Sequence, residues 1–324
     1  MIKIDSREIE VIDAHVHPPR VPSPGKTREN MIDDFVRILD EAGVDRAVLL
    51  SIETNKEDFN KYMRDIDPEE AKSYFWYFWR VVPIEEKDIA KRYLFHLGKQ
   101  IHSLVNTPEE EVKDFLDRYP NRIVGFGSIN PNKDEEYIRN KFKKIKDYGF
   151  KGIKLLPNYQ FFNPKDEKMS LIYECAEKEE LIILIHMGLG MGPWELPSLS
   201  KDCSPSHLGD IAAQHPDLKI VLAHMGGYFP YLPPNHFENT LNLLKRNDNI
   251  YMDISASFNE DLLKKVLNEV GSDRILYGSD YPAITGFCDR FTGMKNCIRW
   301  VLSLEIDLES KENILGKNAR DIGI

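Results

Sequence analysis

The sequence lacks the features that carry a chain into or across a bilayer. No N-terminal stretch has the charged, apolar and small-residue parts of a signal peptide, because residues 1–10 alternate Ile with Lys, Asp, Arg and Glu. No apolar run is long enough to span a membrane. Cysteine is scarce: Cys175, Cys203, Cys288 and Cys297 form no C-x-x-C pair, and a chain of 324 residues can bury a core that needs no disulfides. These absences lead to the expectation of a cytoplasmic protein with free thiols. Positive charge is also short, with 43 Lys and Arg against 53 Asp and Glu. The net charge of −10 works against nucleic acid or an anionic membrane as a partner, while leaving room for a small-molecule substrate of either sign. With no internal repeat, low-complexity linker or second boundary in view, residues 1–324 read as one domain.

What is present is a globular composition, 42% hydrophobic and 30% charged. Short apolar, β-branched runs at 11–17, 46–53, 123–130, 152–157, 181–187, 219–225, 250–256 and 275–280 are separated by amphipathic helical stretches. Several runs are apolar on both faces, as in Leu181-Ile182-Ile183-Leu184-Ile185, which suits strands covered by helices outside and by barrel core inside. The pattern predicts an α/β fold, a (β/α)8 TIM barrel. Leu262, Leu263, Val266, Leu267 and Val270 place a helix over 259–270, with Asn259 as N-cap and Gly271 just past its end. Thr107-Pro108-Glu109-Glu110 reads as a capping box opening a helix that ends near Pro120.

About seventy residues separate the second and third runs, too many for a plain connection, so 54–122 is expected to be a helical, aromatic-rich insertion. It contains Tyr74-Phe75-Trp76-Tyr77-Phe78-Trp79, followed by Arg80, and a charged helix is expected over 85–105. The rings suit a satellite core first; a roof over an active site or a homodimer interface are the other uses of such a cluster.

Four runs end in groups that bind metals: Asp13-Ala14-His15-Val16-His17 in the first, His186 after the fifth, His224 after the sixth and Asp280 after the eighth. Successive strand side chains point to opposite faces, so His15 and His17 project the same way, about 7 Å apart along the backbone. A lone buried histidine is more often a hydrogen-bonded core residue than a ligand. Recurrence at strand ends changes that balance, because a parallel barrel brings such ends to one mouth. Three histidines and a carboxylate suit one divalent cation of the Zn2+ type.

The ligand pattern and the segments Gly152-Ile153-Lys154-Leu155-Leu156-Pro157, Ala223-His224-Met225-Gly226-Gly227, Tyr277-Gly278-Ser279-Asp280-Tyr281-Pro282 and Ile314-Leu315-Gly316-Lys317-Asn318-Ala319 resemble the amidohydrolase superfamily. Within it they look like the branch termed amidohydrolase-related or amidohydrolase 2, which includes aminocarboxymuconate semialdehyde decarboxylase and many hydrolases. The resemblance covers nearly the whole chain. In the single-metal arrangement that it implies, and that we prefer, His15, His17, His186 and Asp280 hold the ion, and His224 serves as acid or base or orients water. In the two-metal arrangement a carboxylated lysine bridges two ions; Lys154 is then that lysine, with His186 and His224 mainly on the second ion. A lysine at this place also serves to bind a substrate carboxylate.

The activity implied first is a hydrolase that uses metal-activated water, with Asp280 accepting a proton and Asp280 or His224 delivering one to the leaving group. The alternative is a non-oxidative decarboxylase of an aromatic or unsaturated acid, in which the acid protonates the carbon that loses CO2. A further alternative is a barrel that binds metal without turnover. No Gly-rich phosphate loop follows the seventh and eighth runs.

Lesser candidates surround this set. Asp13 shares the strand parity of His15 and His17 and reads either as a group that orients a ligand or as a residue that simply sits lower in the barrel. Arg20 and Arg290 lie on segments expected at the same face and can bind a substrate carboxylate, with exposed surface charge as the plainer account. His96 and His102 are six apart on a helix and make a poor metal pair. His207, His215 and His236 are expected in solvent. Residues 187–206, including Trp194 and Cys203, are long enough for a lid, and Tyr159-Gln160-Phe161-Phe162 suits an apolar wall.

Overall fold

Each of the eight apolar runs becomes a strand in the computed structural model, which describes residues 2–4, 7–20, 25–54, 56–65, 67, 69, 105–188, 201–227, 236–257, 259–282 and 293–324. An antiparallel hairpin that the sequence did not announce, β1 (Ile2–Ile4) and β2 (Arg7–Ile9), precedes them. The barrel strands are β3 (Ile12–Val16), β4 (Arg46–Leu50), β5 (Ile123–Ser128), β6 (Gly152–Leu155), β7 (Ile182–Ile185), β8 (Ile220–Leu222), β9 (Ile250–Asp253) and β10 (Ile275–Leu276). They pair in sequence order, each parallel to the next.

The ring is closed by the chain that continues from β10. Ala14 N donates to Tyr277 O (2.9 Å), Asp280 N to His15 O (2.8 Å) and His17 N to Tyr281 O (2.7 Å). The segment 277–281 therefore lies along β3 and carries Asp280 to the histidine pair.

Apolar residues fall into two layers, as the two-faced runs predict. Ile12, Ala14, Val48, Leu50, Phe126, Ile182, Leu184, Val221 and Leu276 fill the barrel interior. Ala47, Leu49, Ile153, Leu155, Ile183, Ile185, Ile220 and Leu222 pack outward against the helices. At about 1.5–3 kcal/mol per fully buried aliphatic side chain, these layers dominate the stabilisation of the barrel.

One irregularity decides where the histidines point. Ile12 and Ala14 belong to the interior, yet Val16 belongs to the outer layer, although strict alternation would put all three on one face. The pairing of β3 with β4 shifts register between Asp13 and Val16, as a bulge does. Without that shift His15 and His17 would share the outward parity of Val11 and face the helices.

Helix Glu260–Glu269 forms as expected, with the Asn259 side chain accepting from Leu262 N at 3.0 Å and Gly271 just beyond it at φ 93°. The capping box at Thr107 does not form. Thr107 instead exchanges backbone hydrogen bonds with Ile52 (2.7 and 3.0 Å), its hydroxyl donates to Val105 O, and helix Glu109–Arg118 starts after Pro108 with no side-chain cap. Pairing with Ile52 tethers the end of the insertion to the strand from which the insertion departs. Helix Lys56–Asp65 is the described beginning of that insertion. The aromatic run 74–79, Arg80, the helix expected over 85–105, and His96 and His102 lie outside the described residues. Among the described residues, no helix is long and apolar enough to cross a membrane.

The segment Ile314-Leu315-Gly316-Lys317-Asn318-Ala319 works at the end of the barrel away from the histidines. Asn318 Nδ2 donates to Ser272 O (2.7 Å) and Ile275 O (2.8 Å), and Ala319, Ile322 and Ile324 complete the interior layer. A Cβ on Gly316 would stand 2.3 Å from Glu10 O, so only glycine permits this closure.

Candidate metal centre

The polar ends of β3, β6, β7, β8, β9 and β10 meet at the carboxyl end of the barrel. His17 Nε2 lies 3.2 Å and His15 Nε2 3.4 Å from Asp280 Oδ1. The His15 ring is 5.0 Å from that of His224, whose Nε2 is 3.1 Å from His186 Nδ1. Four imidazoles thus form a chain in the order 17, 15, 224, 186. Lys154 Nζ, at the end of β6, is 3.3 Å from His15 Nε2. The residues singled out from the sequence as ligands and acid or base are therefore brought together, with His15, His17 and Asp280 in direct convergence and His186 joined through His224.

Backbone geometry shapes the two segments that carry His224 and Asp280. His224 and Met225 are left-handed, with φ 59° and 53°, and Asp280 has φ 55°. Such conformations cost non-glycine residues on the order of 1–3 kcal/mol each. At His224 the bend is held by its N–H donating to Asp253 Oδ1 (2.9 Å) and by Ser257 Oγ donating to its carbonyl (3.1 Å). Beneath Asp280, a Cβ on Gly278 would stand 2.9 Å from His15 Cβ and 3.2 Å from Ser255 Cβ, so a side chain there would displace β3.

Burial sets the charge state. It lowers His15, pushes His224 down to about 4 and holds His186 well below the ordinary range, leaving neutral rings with lone pairs. Burial also pushes Lys154 down to about 8. For Asp280 burial works upward, but the hydrogen bond from His17 and the neighbouring imidazoles hold it below the usual carboxylate range. Three of the expected donors, His15, His17 and Asp280, come close enough together to hold a zinc-type ion. Ligand atoms about 2.0–2.1 Å from a tetrahedral ion stand roughly 3.3–3.4 Å apart, which matches the 3.2 and 3.4 Å separations at Asp280 Oδ1.

Two residues that sequence reasoning missed sit beneath the site. Asp253 Oδ2 is 2.8 Å from His15 Nδ1, and Ser255 Oγ lies 3.1 Å from His15 Nδ1 and 2.9 Å from His224 Nδ1. Their signal was legible: Asp253-Ile254-Ser255 has the same i, i+2 spacing at a strand end as His15-x-His17, inside an otherwise apolar run. Among the described residues, Asp13 has no hydrogen bond to an imidazole ring. Its Oδ1 accepts from His15 N (3.2 Å) and Ser279 N (2.9 Å), which ties β3 to the chain after β10.

The remaining candidates separate. Arg20 is ion-paired with Glu111 (3.3 Å), and Arg290 and Trp194 lie outside the described residues. Of the expected wall, Tyr159 turns an edge to His186 at 6.3 Å, whereas Phe162 is core and Gln160 spans to Ile129 O, Glu53 O and Leu156 N. Cys203 is buried, with its carbonyl accepting from Gly188 N at 2.8 Å. His207 and His215 lie at helix ends, bonded to Lys201 O and Glu177. His236, expected in solvent, is only 5% exposed because it begins a helix whose Phe237, Leu241 and Leu244 pack into the core.

The sequence profile described as Amidohydrolase matches residues 12–322. The chain belongs to the amidohydrolase family. It is 24% identical over 250 residues to 2-amino-3-carboxymuconate-6-semialdehyde decarboxylase of Dictyostelium discoideum, a match covering 65% of this chain and 63% of that protein. It is 32% identical over 200 residues to gamma-resorcylate decarboxylase of Rhizobium sp. (strain MTP-10005), covering 50% of this chain and 61% of that protein. The matches thus span a little under two thirds of these curated relatives. Among solved structures, an uncharacterised TIM-barrel protein from Bordetella bronchiseptica superposes with a TM-score of 0.65 at 16% identity, over 97% of this chain and 98% of the other, and bears out the barrel.

Proposed function

We propose that this amidohydrolase-family enzyme is a metal-dependent, non-oxidative decarboxylase of a small aromatic or unsaturated carboxylic acid. The reading is carried by the convergence of His15, His17 and Asp280 at one atom, Asp280 Oδ1, in a chain whose curated relatives are decarboxylases. The same residues also serve a hydrolase, the activity preferred from the sequence; the relatives support decarboxylation more.

His15, His17, His186 and Asp280 are the residues that would hold the ion. A divalent cation bound there supplies a Lewis acid that withdraws electron density from substrate oxygens. The protein's own groups move the proton. Decarboxylation breaks the bond between the carboxylate carbon and its neighbour, and the electron pair left on that neighbour takes up a proton as CO2 departs. His224 and Asp280 are the proton carriers, since both sit at the site and burial favours a neutral imidazole at His224, able to take up and release a proton. Tyr159 offers an aromatic edge beside His186, which suits a planar substrate.

The test is an assay of the zinc-loaded enzyme on ortho-hydroxylated benzoates and unsaturated dicarboxylates in heavy water. Decarboxylation gives CO2 with one deuterium at the vacated carbon. Incorporation of solvent oxygen without CO2 would reverse the assignment to hydrolysis. A barrel that binds zinc but turns over neither class would support a non-catalytic role.

A further inference from the structure

The pair beneath the histidines has a chemical consequence of its own. Asp253 and Ser255 lie at the end of β9, each 0% exposed. A carboxylate accepts and does not donate, so His15 Nδ1, 2.8 Å from Asp253 Oδ2, carries the ring proton. The other oxygen, Oδ1, takes the N–H groups of His224 (2.9 Å) and Ser255 (3.0 Å) and the Ser255 hydroxyl. Having given its only proton to Asp253, Ser255 Oγ is left to accept from the histidines. His224 Nδ1 faces that oxygen at 2.9 Å and the Ser255 carbonyl, which can only accept, at 3.2 Å, so it too carries its proton. Its Nε2 is then a lone pair, and His186 Nδ1, 3.1 Å away, is the donor to it. His15 Nε2 stands between Asp280 Oδ1 (3.4 Å) and Lys154 Nζ (3.3 Å), which donates to it, so a neutral His15 has its lone pair there. With the rings neutral, all three share one assignment: the proton on Nδ1 and the lone pair on Nε2.

We propose that Asp253 and Ser255 are the positioning residues of this centre, a bracket whose single carboxylate sets the tautomers of His15, His224 and His186 and so leaves the Nε2 of His15, beside Asp280, and the Nε2 of His186 as lone pairs able to bind a cation. This deepens the reading of the site given above and rests on it for the identity of the ligands. Its asymmetry is testable. An asparagine at 253 can accept on one side only; with the His224 and Ser255 N–H groups taking its oxygen, its NH2 faces His15 Nδ1 and forces that ring's proton onto Nε2.

The decisive measurement is imidazole 15N–1H correlation spectroscopy of the zinc-free full chain, with resonances assigned by single histidine-to-glutamine variants, followed by calorimetric titration with Zn2+. Wild type should show Nδ1–H tautomers at His15, His186 and His224. Asp253→Asn should switch His15 to Nε2–H and weaken Zn2+ binding by roughly 10–100-fold, the usual effect of removing a group that orients a ligand. Ser255→Ala keeps the Asp253–His15 contact and should leave His15 in its wild-type tautomer, while the His224 signal broadens or shifts. An Nε2–H His15 in wild type would overturn the proposal, even if Asp253→Asn failed to fold. So would unchanged Zn2+ affinity and an unchanged His15 tautomer in a folded Asp253→Asn. Wild type that binds no Zn2+ but shows the three Nδ1–H rings would sink the metal reading and leave the bracket standing.

Discussion

Lys154 Nζ and His15 Nε2 face each other across 3.3 Å, and both side chains are almost fully buried. The lysine donor meets the same nitrogen that the metal reading assigns to the ion. With Lys154 lowered to about 8 by burial, its ammonium is the prevailing form at neutral pH and opposes a second cation. We therefore predict that Lys154→Met retains one equivalent of Zn2+ and binds it several-fold more tightly at pH 7. The advantage should shrink as pH rises past 8, where the wild-type lysine loses its charge. Calorimetry across pH reads both effects; a fall in metal content would favour two ions bridged by carboxylated Lys154.

Asp13 gives a pH-dependent stability with a definite sign. Burial raises its carboxyl from 3.8 to about 7, so the folded protein holds a proton there that the unfolded chain has already released. Below about pH 4 the group is protonated in both states and costs nothing. From there to about pH 7 stability falls as pH rises, by an amount bounded at roughly 4 kcal/mol. Asn keeps the Oδ1 acceptor for His15 N and Ser279 N without the charge. Melting curves of the zinc-free proteins should show Asp13→Asn equal to wild type near pH 4 and more stable at pH 8.

Gly278→Ala tests the packing under His15 and Asp280. Its methyl group would stand 2.9 Å from His15 Cβ and 3.2 Å from Ser255 Cβ, so β3 and β9 must yield. Overpacking of this kind costs about 1–3 kcal/mol. The variant should unfold at lower denaturant and bind Zn2+ more weakly than wild type, since relief comes at His15. Equal zinc affinity would mean that the site tolerates the shift.

For His224→Asn we expect metal content close to wild type and turnover lower by ~100-fold or more, as for loss of a positioned acid or base. Loss of metal together with activity would instead make His224 a ligand and support the two-ion arrangement. Metal analysis beside steady-state rates separates the outcomes.

The barrel was legible because two-faced apolar runs such as 181–185 have no other stable home than a strand covered on both sides, and all eight became strands. The cluster of His15, His17, His186, His224 and Asp280 was legible for a related reason: a histidine or carboxylate at the end of such a run has little structural use unless it meets others. Local rules failed where a tertiary partner outbid them. Thr107 gave its backbone to Ile52 instead of capping a helix, and His236 was drawn into the core by the helix that follows it.

From the sequence alone came the strand count, the fold and the positions His15, His17, His186, His224 and Asp280, because hydrophobic period and strand-end chemistry are local properties. Tertiary structure decided the rest. The register shift in β3 turned the histidine pair inward, left-handed backbone at His224 aimed its ring, and the fold set Asp253 and Ser255 against the Nδ1 atoms of His15 and His224. Each depends on a hydrogen bond or contact between residues tens to hundreds of positions apart, which no local periodicity encodes.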